Sequence, residues 1–476
     1  MGIIADNNYS QVNGWPILQN SSANFFANRF KKHLFLVLPL TVFLHACGGS
    51  GGGSDPDPVE PVEYTFSLTS QLTNGCGVSV AFTKVELLLQ DSDWQTTTRY
   101  QADENGLITF TSLQERINYT LVAKNQYANE AEGLNVVSFF QAKTTTPAIY
   151  HGQFDDLVDD SSCECVTQNV ALKHRPFAQR SQVTSSLSFD IWSAVDEQTT
   201  LFEGVTACRV IDGEWPLQSF SVLGEDVNQQ VIGSGEFLAD FSENVAGVWS
   251  VPVFQVADLV ELSTPHEDFT TLQLTQGIEH FSQAIIENQS ELLLFKSHPY
   301  ISETFYQANA SVTFQETSSI FGDTVIKSHH QVISTNYPQA FAVNASKQKP
   351  AIDDVNFSEI KADGSYDYSA VSGYPMAIIS FSYTAYDPQT QLLMPAKWTH
   401  YGQEQGTLAM SGSLTGYEDI INADTDKKST KVLLLKSSQS SDYFDYIDFY
   451  QSGNLDQNDT NLLSDFRQYE IEISLN

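Results

Sequence analysis

The residues of this chain best equipped for chemistry are its cysteines, its histidines and its very many carboxylates. Beyond residue 47 four cysteines remain, Cys76, Cys163, Cys165 and Cys208, with the two central ones separated by one residue. A tetrahedral zinc site is normally built from paired C-x₂₋₄-C steps, which this spacing lacks. An even cysteine count in an exported chain instead reads as two disulfides. Cys163 and Cys165 are too close to bridge each other without strain. Their partners are therefore expected to be Cys76 and Cys208, one each, with the assignment left open. The eight histidines after residue 46, His151, His174, His266, His280, His298, His329, His330 and His400, form no H-E-x-x-H pair. The one G-x-S-x-G match, Gly48 to Gly52, lies in a Gly/Ser tract with no strand before it and no helix after it. It cannot make the strained strand-to-helix turn of a nucleophile elbow. Carboxylates are too numerous to single out a glycosidase pair.

No cofactor and no catalytic metal are expected; calcium, as a structural ion, is the metal the pattern suits best, and the reading preferred for each acidic cluster is a solvated loop. Asn422, Asp424 and Asp426 alternate oxygen donors behind Glu418 and Asp419. The run lacks the glycine and the closing glutamate of an EF-hand loop. Asp456, Asn458 and Asp459, and the cluster Asp155, Asp156, Asp159 and Asp160, are weaker versions of the same idea. Tyr443, Phe444, Tyr446, Phe449 and Tyr450 crowd aromatic rings into eight residues. A sugar- or peptide-binding face is one reading of them, and strand alternation into the core is the other.

The elements that must carry these groups begin behind an unusual leader. Residues 31–58 read KKHLFLVLPLTVFLHACGGSGGGSDPDP, with Lys31 and Lys32 before an apolar run from Leu34 to Leu44. As a helix that run would span roughly 16 Å, about half of a ~30 Å hydrocarbon core, so it suits a secretory signal better than a membrane span. Leu44-His45-Ala46-Cys47 resembles the lipobox of bacterial lipoproteins. The resemblance implies cleavage before Cys47 and lipidation of that residue, and Gly48 in place of aspartate points to the outer membrane. Residues 1–46 are thus expected to be an upstream region and signal peptide. Residues 47–62 are expected to be a lipidated cysteine and a Gly/Ser/Pro tether, which could reach at most ~50 Å.

The part after residue 46 carries 57 acidic and 20 basic residues, a net charge of about −37. A surface of that sign repels nucleic acid. With 30 Phe and 20 Tyr the chain is globular. From residue 63 onward it reads as short alternating strands between polar turns. The fold class expected is all-β, as tandem β-sandwiches behind the tether. One helix is expected, over 274–288, from Leu274, Ile278, Phe281 and Ile285 on one face.

Val80–Ala123 runs VAFTKVELLLQDSDWQTTTRYQADENGLITFTSLQERINYTLVA. It resembles the carboxypeptidase regulatory-like domain, a transthyretin-like sandwich without catalytic function of its own. In this reading Asp103–Gly106 turns a hairpin, with Gly106 at positive φ. Phe110, Leu113, Tyr119 and Leu121 face the core. The domains expected are 63–175 for this sandwich and two β-rich units, 176–345 and 346–476. The last two share echoes in the same order, such as Ala194-x-Asp196-x-Gln198-Thr199-x-Leu201 against Ala385-x-Asp387-x-Gln389-Thr390-x-Leu392. Taken together the sequence points to an envelope-anchored protein. The partners expected are the membrane, through the lipid, and an envelope or extracellular protein or glycan, in a binding, adhesion or scaffolding role. The alternative is a carbohydrate-active enzyme on a β scaffold.

Overall fold

A computed structural model describes residues 61–474 apart from 128–129, 153–159, 174–179, 186–190, 197–198, 216, 226–230, 243–247, 253–254, 257, 263–270, 277–280, 285–290, 295–305, 319–321, 337, 339, 351–363 and 454–459. The fold is all-β and made of several sheets, as the sequence pattern requires. Eight strands open it: β1 (Tyr64–Thr73), β2 (Ser79–Ala81), β3 (Val85–Gln90), β4 (Thr96–Gln101), β5 (Leu107–Ser112), β6 (Arg116–Tyr127), β7 (Glu130–Lys143) and β8 (Ala148–His151). β1, β2, β5 and β8 form one small sheet, with β8 parallel to β1. β3, β4, β6 and β7 belong to a second sheet, and the two face each other.

Period-2 alternation explains the first sandwich. β1 turns Phe66, Leu68 and Leu72 inward, and β5 turns Ile108 and Phe110 inward. Phe66 stacks on Phe110 at 4.9 Å between ring centres and meets Tyr119 edge-on at 5.3 Å. The Asp103–Gly106 turn forms as expected. Gly106 has φ +73°, and the Asp103 carboxylate accepts from the Asn105 and Leu107 amides at 2.8 and 2.9 Å. A side chain at Gly106 would also collide with the Ser70 carbonyl. Tyr119 and Leu121 are buried as expected, but Leu113 is 62% exposed. It sits just past the end of β5, where alternation no longer governs which way a side chain points.

The large sheet does not stop at β7. It has twelve strands and takes members from all three stretches that the sequence divides at 175 and 345. Beyond the first sandwich its members are β11 (Thr271–Gln276), β12 (Phe281–Ala284), β13 (Tyr306–Ser318), β14 (Gly322–Ser334), β15 (Met376–Asp387), β16 (Leu392–Gln403), β17 (Asp426–Ser437) and β18 (Asp465–Ser474). Between these groups in the chain lie β9 (Cys163–Lys173) and β10 (Thr199–Val210), which pair in a separate four-stranded sheet. The order across the large sheet is β12-β11-β13-β14-β18-β17-β15-β16-β7-β6-β3-β4. Every neighbour is antiparallel except β16 against β7, which run parallel with Trp398 opposite Val136.

The middle of this sheet is buried on both faces, which is why its strands read as unbroken apolar runs. Leu87, Leu121, Ile378 and Leu433 face the first sandwich, while Leu88, Val122, Ala377 and Leu434 face a second core. The second core is covered by the segment between β16 and β17, through Leu408, Leu414, Ile420 and Ile421, and by Tyr368 and Val371. Two expectations are corrected. The helix expected over 274–288 is replaced by strands where the residues are described: Leu274 belongs to β11 and Phe281 to β12, an antiparallel pair with Leu274 opposite Gln283, while Ile278 and Ile285 lie outside the described residues. Sheet pairing here overrides a helical spacing that four apolar residues met by coincidence. Conversely, the aromatic run forms helix α1 (Tyr443–Gln451), capped by the Asp442 carboxylate on the Phe444 amide. Tyr443, Tyr446, Ile447 and Tyr450 fall at helical intervals and pack onto the first core.

Candidate functional site

The cysteines form the two disulfides, and their pairing is now fixed. Cys76 bridges Cys163, and Cys165 bridges Cys208. The first ties the β1–β2 turn of the sandwich to the start of β9, across 87 residues. Closing a loop of that length contributes at most about 4–5 kcal/mol in the chain-entropy model. The second lies directly across the β9–β10 pair, where Cys165 and Cys208 are register partners with Cα atoms 4.1 Å apart. Next to it Glu164 pairs with Arg209, whose guanidinium covers Trp215. Cys47 lies outside the described residues, as do His174, His266, His280, His298, Asp155, Asp156, Asp159, Asp456, Asn458 and Asp459.

Two of the three side chains of the calcium candidate, those of Asn422 and Asp426, are engaged locally. The Asn422 side chain accepts from the Asp424 amide at 3.0 Å and donates to the Glu418 carbonyl at 3.1 Å. Thr425 closes the loop from its hydroxyl, accepting from the Asn422 amide at 2.9 Å. Asp426 pairs with Lys428 at 2.5 Å. Among the described residues no three His, Cys, Asp or Glu side chains converge as a metal site. Asp160 accepts from the Gly75 amide at 2.7 Å, beside the first disulfide. The aromatic run is core: Tyr443 donates to the Phe140 carbonyl at 2.6 Å, and Arg116 lies 4.0 Å over the Phe444 ring.

The described histidines are separated rather than clustered. His329 and His330 point to opposite faces of β14. His330 accepts the Asn344 amide on Nδ1 at 2.6 Å, so its Nε2 donates to Asp465, 2.8 Å away. His151 lies at the end of β8, its pKa lowered by burial. His400 is 4% exposed, stacked on Trp398 at 4.9 Å and met edge-on by Trp94 and Phe381. Neither ring nitrogen has a hydrogen-bond partner among the described residues, and burial pushes its pKa down to about 3.

The densest grouping of charged and hydroxyl side chains lies elsewhere, on the large sheet where the first core ends. The strands that bury Met376, Ile378, Leu433 and Phe466 in that core continue on the same face with polar residues at the same two-residue interval. β15 contributes Ser380 and Ser382, β16 Thr399 and Lys397, β17 Lys431 and Ser429, β18 Glu470 and Glu472, and β14 Lys327 and His329. Register places Lys327 opposite Glu470, Lys431 opposite Ser380 and Glu472, and Lys397 opposite Ser382. Glu470 is 1% exposed and held from two sides, by Lys327 at 3.1 Å and by Lys431 at 3.0 Å. His329 stands 3.9 Å away, its pKa pushed down to about 4 by burial, against the opposing pull of Glu470. Burial and then the charge of Lys431 lower the pKa of Lys397. The strip ends against the first sandwich, where Asn135 donates to the Tyr150 hydroxyl at 3.0 Å.

Such a strip can bind and orient a polar group. Its lysines and hydroxyls offer donors, and the strands beneath it are anchored on their other face by the second core. Apart from His329, none of these residues stood out in the sequence. The signal that could have found them is the interval itself: Lys397, Lys431 and Glu470 occupy inward strand positions two and four residues from core residues.

No family model matches the chain, and no curated protein matches it. Among solved structures, two B repeat units of the collagen-binding protein of Staphylococcus aureus are similar at 9% identity. That likeness covers 78% of this chain and 92% of that one with a TM-score of 0.12, too low to bear on fold or function.

Proposed function

We propose that this chain is an outer-membrane lipoprotein, held by a lipid on Cys47, whose β body binds an envelope or extracellular protein or glycan without catalysing a reaction. Three things support the reading. The lipobox-like Leu44–Cys47 follows a short apolar run flanked by lysines, and a Gly/Ser/Pro tether follows it. Residues 63–175 resemble a non-catalytic carboxypeptidase regulatory-like sandwich, and the Gly106 turn and the Phe66–Phe110–Tyr119 cluster suit that resemblance. The observation that carries the binding role is the polar strip around Lys397 and Lys431, a recognition surface set on a sheet braced from behind.

The anchor is tested by fractionation of cells making the wild type and Cys47→Ser. The wild type should sediment with membranes and label with radioactive palmitate, and the variant should do neither. Unchanged partitioning of Cys47→Ser would overturn the anchor.

A further inference from the structure

We infer that the strip between Lys431 and Lys397 is a seat for one anionic group, a carboxylate, sulfate or phosphate carried by a polar ligand. The inference deepens the binding role proposed above by naming the charge of what is bound. Lys431 on β17 and Lys397 on β16 flank β15 from either side. Neighbouring strands lie about 4.8 Å apart, so the two lysine backbones stand about 10 Å apart, with one strand between them. Between the two lysines that strand presents Ser380 and Ser382 on this face, and Ser429 and Thr399 lie beside them. Ser380 and Thr399 hydroxyls are 3.1 Å apart. The floor is therefore short and hydroxyl-lined, and both walls are ammonium groups. All four floor residues except Thr399 are half-buried, so the seat is reached from solvent.

The charges near Lys397 are unevenly placed. Among the described residues on this face, the ammonium groups of Lys327, Lys397 and Lys431 stand with the carboxylates Glu470 and Glu472, and Asp323 lies at the exposed end of β14, four strands from Lys397. His329 is neutral near pH 7, and β15 brings no charge to this face. Lys327 and Lys431 are both engaged by Glu470. Lys397 has no ion-pair or hydrogen-bond partner among the described residues, although it is mostly buried. A partly buried ammonium without a counterion is costly, and a chain carrying a net charge of −35 has no shortage of carboxylates that could have supplied one. The unpaired positive charge of Lys397 is thus placed where one negative charge from outside would balance it, aided by hydroxyl donors.

The test is calorimetric titration of the full chain in detergent with four probes: galacturonate, glucose, inorganic sulfate and inorganic phosphate. An anion should bind and glucose should not. Preference for galacturonate identifies an acidic sugar, and equal binding of all three anions identifies a free-anion seat. Lys397→Gln should weaken anion binding at least tenfold without lowering the melting temperature, because Lys397 supports no ion pair in the fold. Lys397→Arg should stay within about threefold of wild type, and exposed Lys428→Gln should change nothing. Methyl-labelled lysine NMR gives a second readout: the Lys397 titration should move up in pH when the anion is bound. Equal binding by Lys397→Gln and wild type, equal binding of glucose, or no binding of any anion would each overturn the seat. None of these results bears on the anchor, which fractionation decides separately.

Discussion

Strands β15 and β17 each pass through two environments within a few residues. Met376–Ile379 and Val432–Leu435 are buried on both faces, between the first sandwich and the second core. Ser380, Ser382, Ser429 and Lys431 continue the same ladder, with the same partners, but one face carries polar groups. The backbone hydrogen bonding does not change at the junction. What changes is the cover, and with it the source of stability: apolar burial on one side of the junction, charge pairing on the other. The contrast shows how one sheet can be both the buried centre of a molecule and the floor of a strip of charged and hydroxyl groups.

Four measurements break or sharpen that contrast. The largest effect belongs to the apolar half. Leu434→Ala should cost about 3 kcal/mol in denaturant unfolding, because a fully buried leucine is replaced by a cavity. A cost below about 1 kcal/mol would mean that the second core is not packed as described. Glu470→Gln should come next, at about 2 kcal/mol, because it leaves two largely buried lysines without their shared carboxylate. An increase in stability would show that the ion cluster opposes folding and is kept for another reason.

The third measurement is the pH dependence of stability. Above pH 6.5 His400 is neutral whether the chain is folded or not. Below that, the unfolded chain takes a proton that folded His400 refuses until about pH 3. Stability should therefore fall on acidification from about pH 6.5 downward. The slope approaches about 1.4 kcal/mol per pH unit from this residue, and His329 adds to it. His400→Phe should flatten the slope measured by urea unfolding at pH 7, 6 and 5, and identical slopes would remove His400 as the cause. The smallest effect is expected in the polar half: Ser380→Ala should cost about 0.5 kcal/mol, for the loss of one half-buried hydroxyl contact. A cost comparable to Leu434→Ala would erase the distinction between the two halves.

Local chemistry made some of this visible in the sequence. The Asp103–Gly106 turn, the inward Phe110, Tyr119 and Leu121, and the even number of cysteines follow from rules that act over a few residues or on composition. The choice of Cys163 for Cys76 did not, because both neighbours satisfied the same spacing. Helix α1 was hidden because five aromatic residues suit a strand as well as a helix, and only the Asp442 cap and the buried Tyr443–Tyr446–Tyr450 spacing distinguish them. The false helix at 274–288 failed for the opposite reason: its apolar spacing fitted, but long-range pairing with β13 decided the outcome. The strip of Lys327, Lys397, Lys431 and Glu470 was the least legible part. Its members lie up to about 140 residues apart, as Lys327 and Glu470 show, and nothing short of the register brings them together.

The parallel seam between β7 and β16 has a consequence for how the molecule is made. It joins residues 260 positions apart, as in the bond from the Trp398 indole to the Ser138 hydroxyl. Until β16 arrives the first sandwich has nothing to close its sheet, and β7 is left as a long bare edge able to template a neighbour. Completion of the N-terminal unit is thus a late event, timed by the C-terminal third of the chain. Fragments ending before residue 392 would keep that edge for good, which marks them as the forms expected to associate.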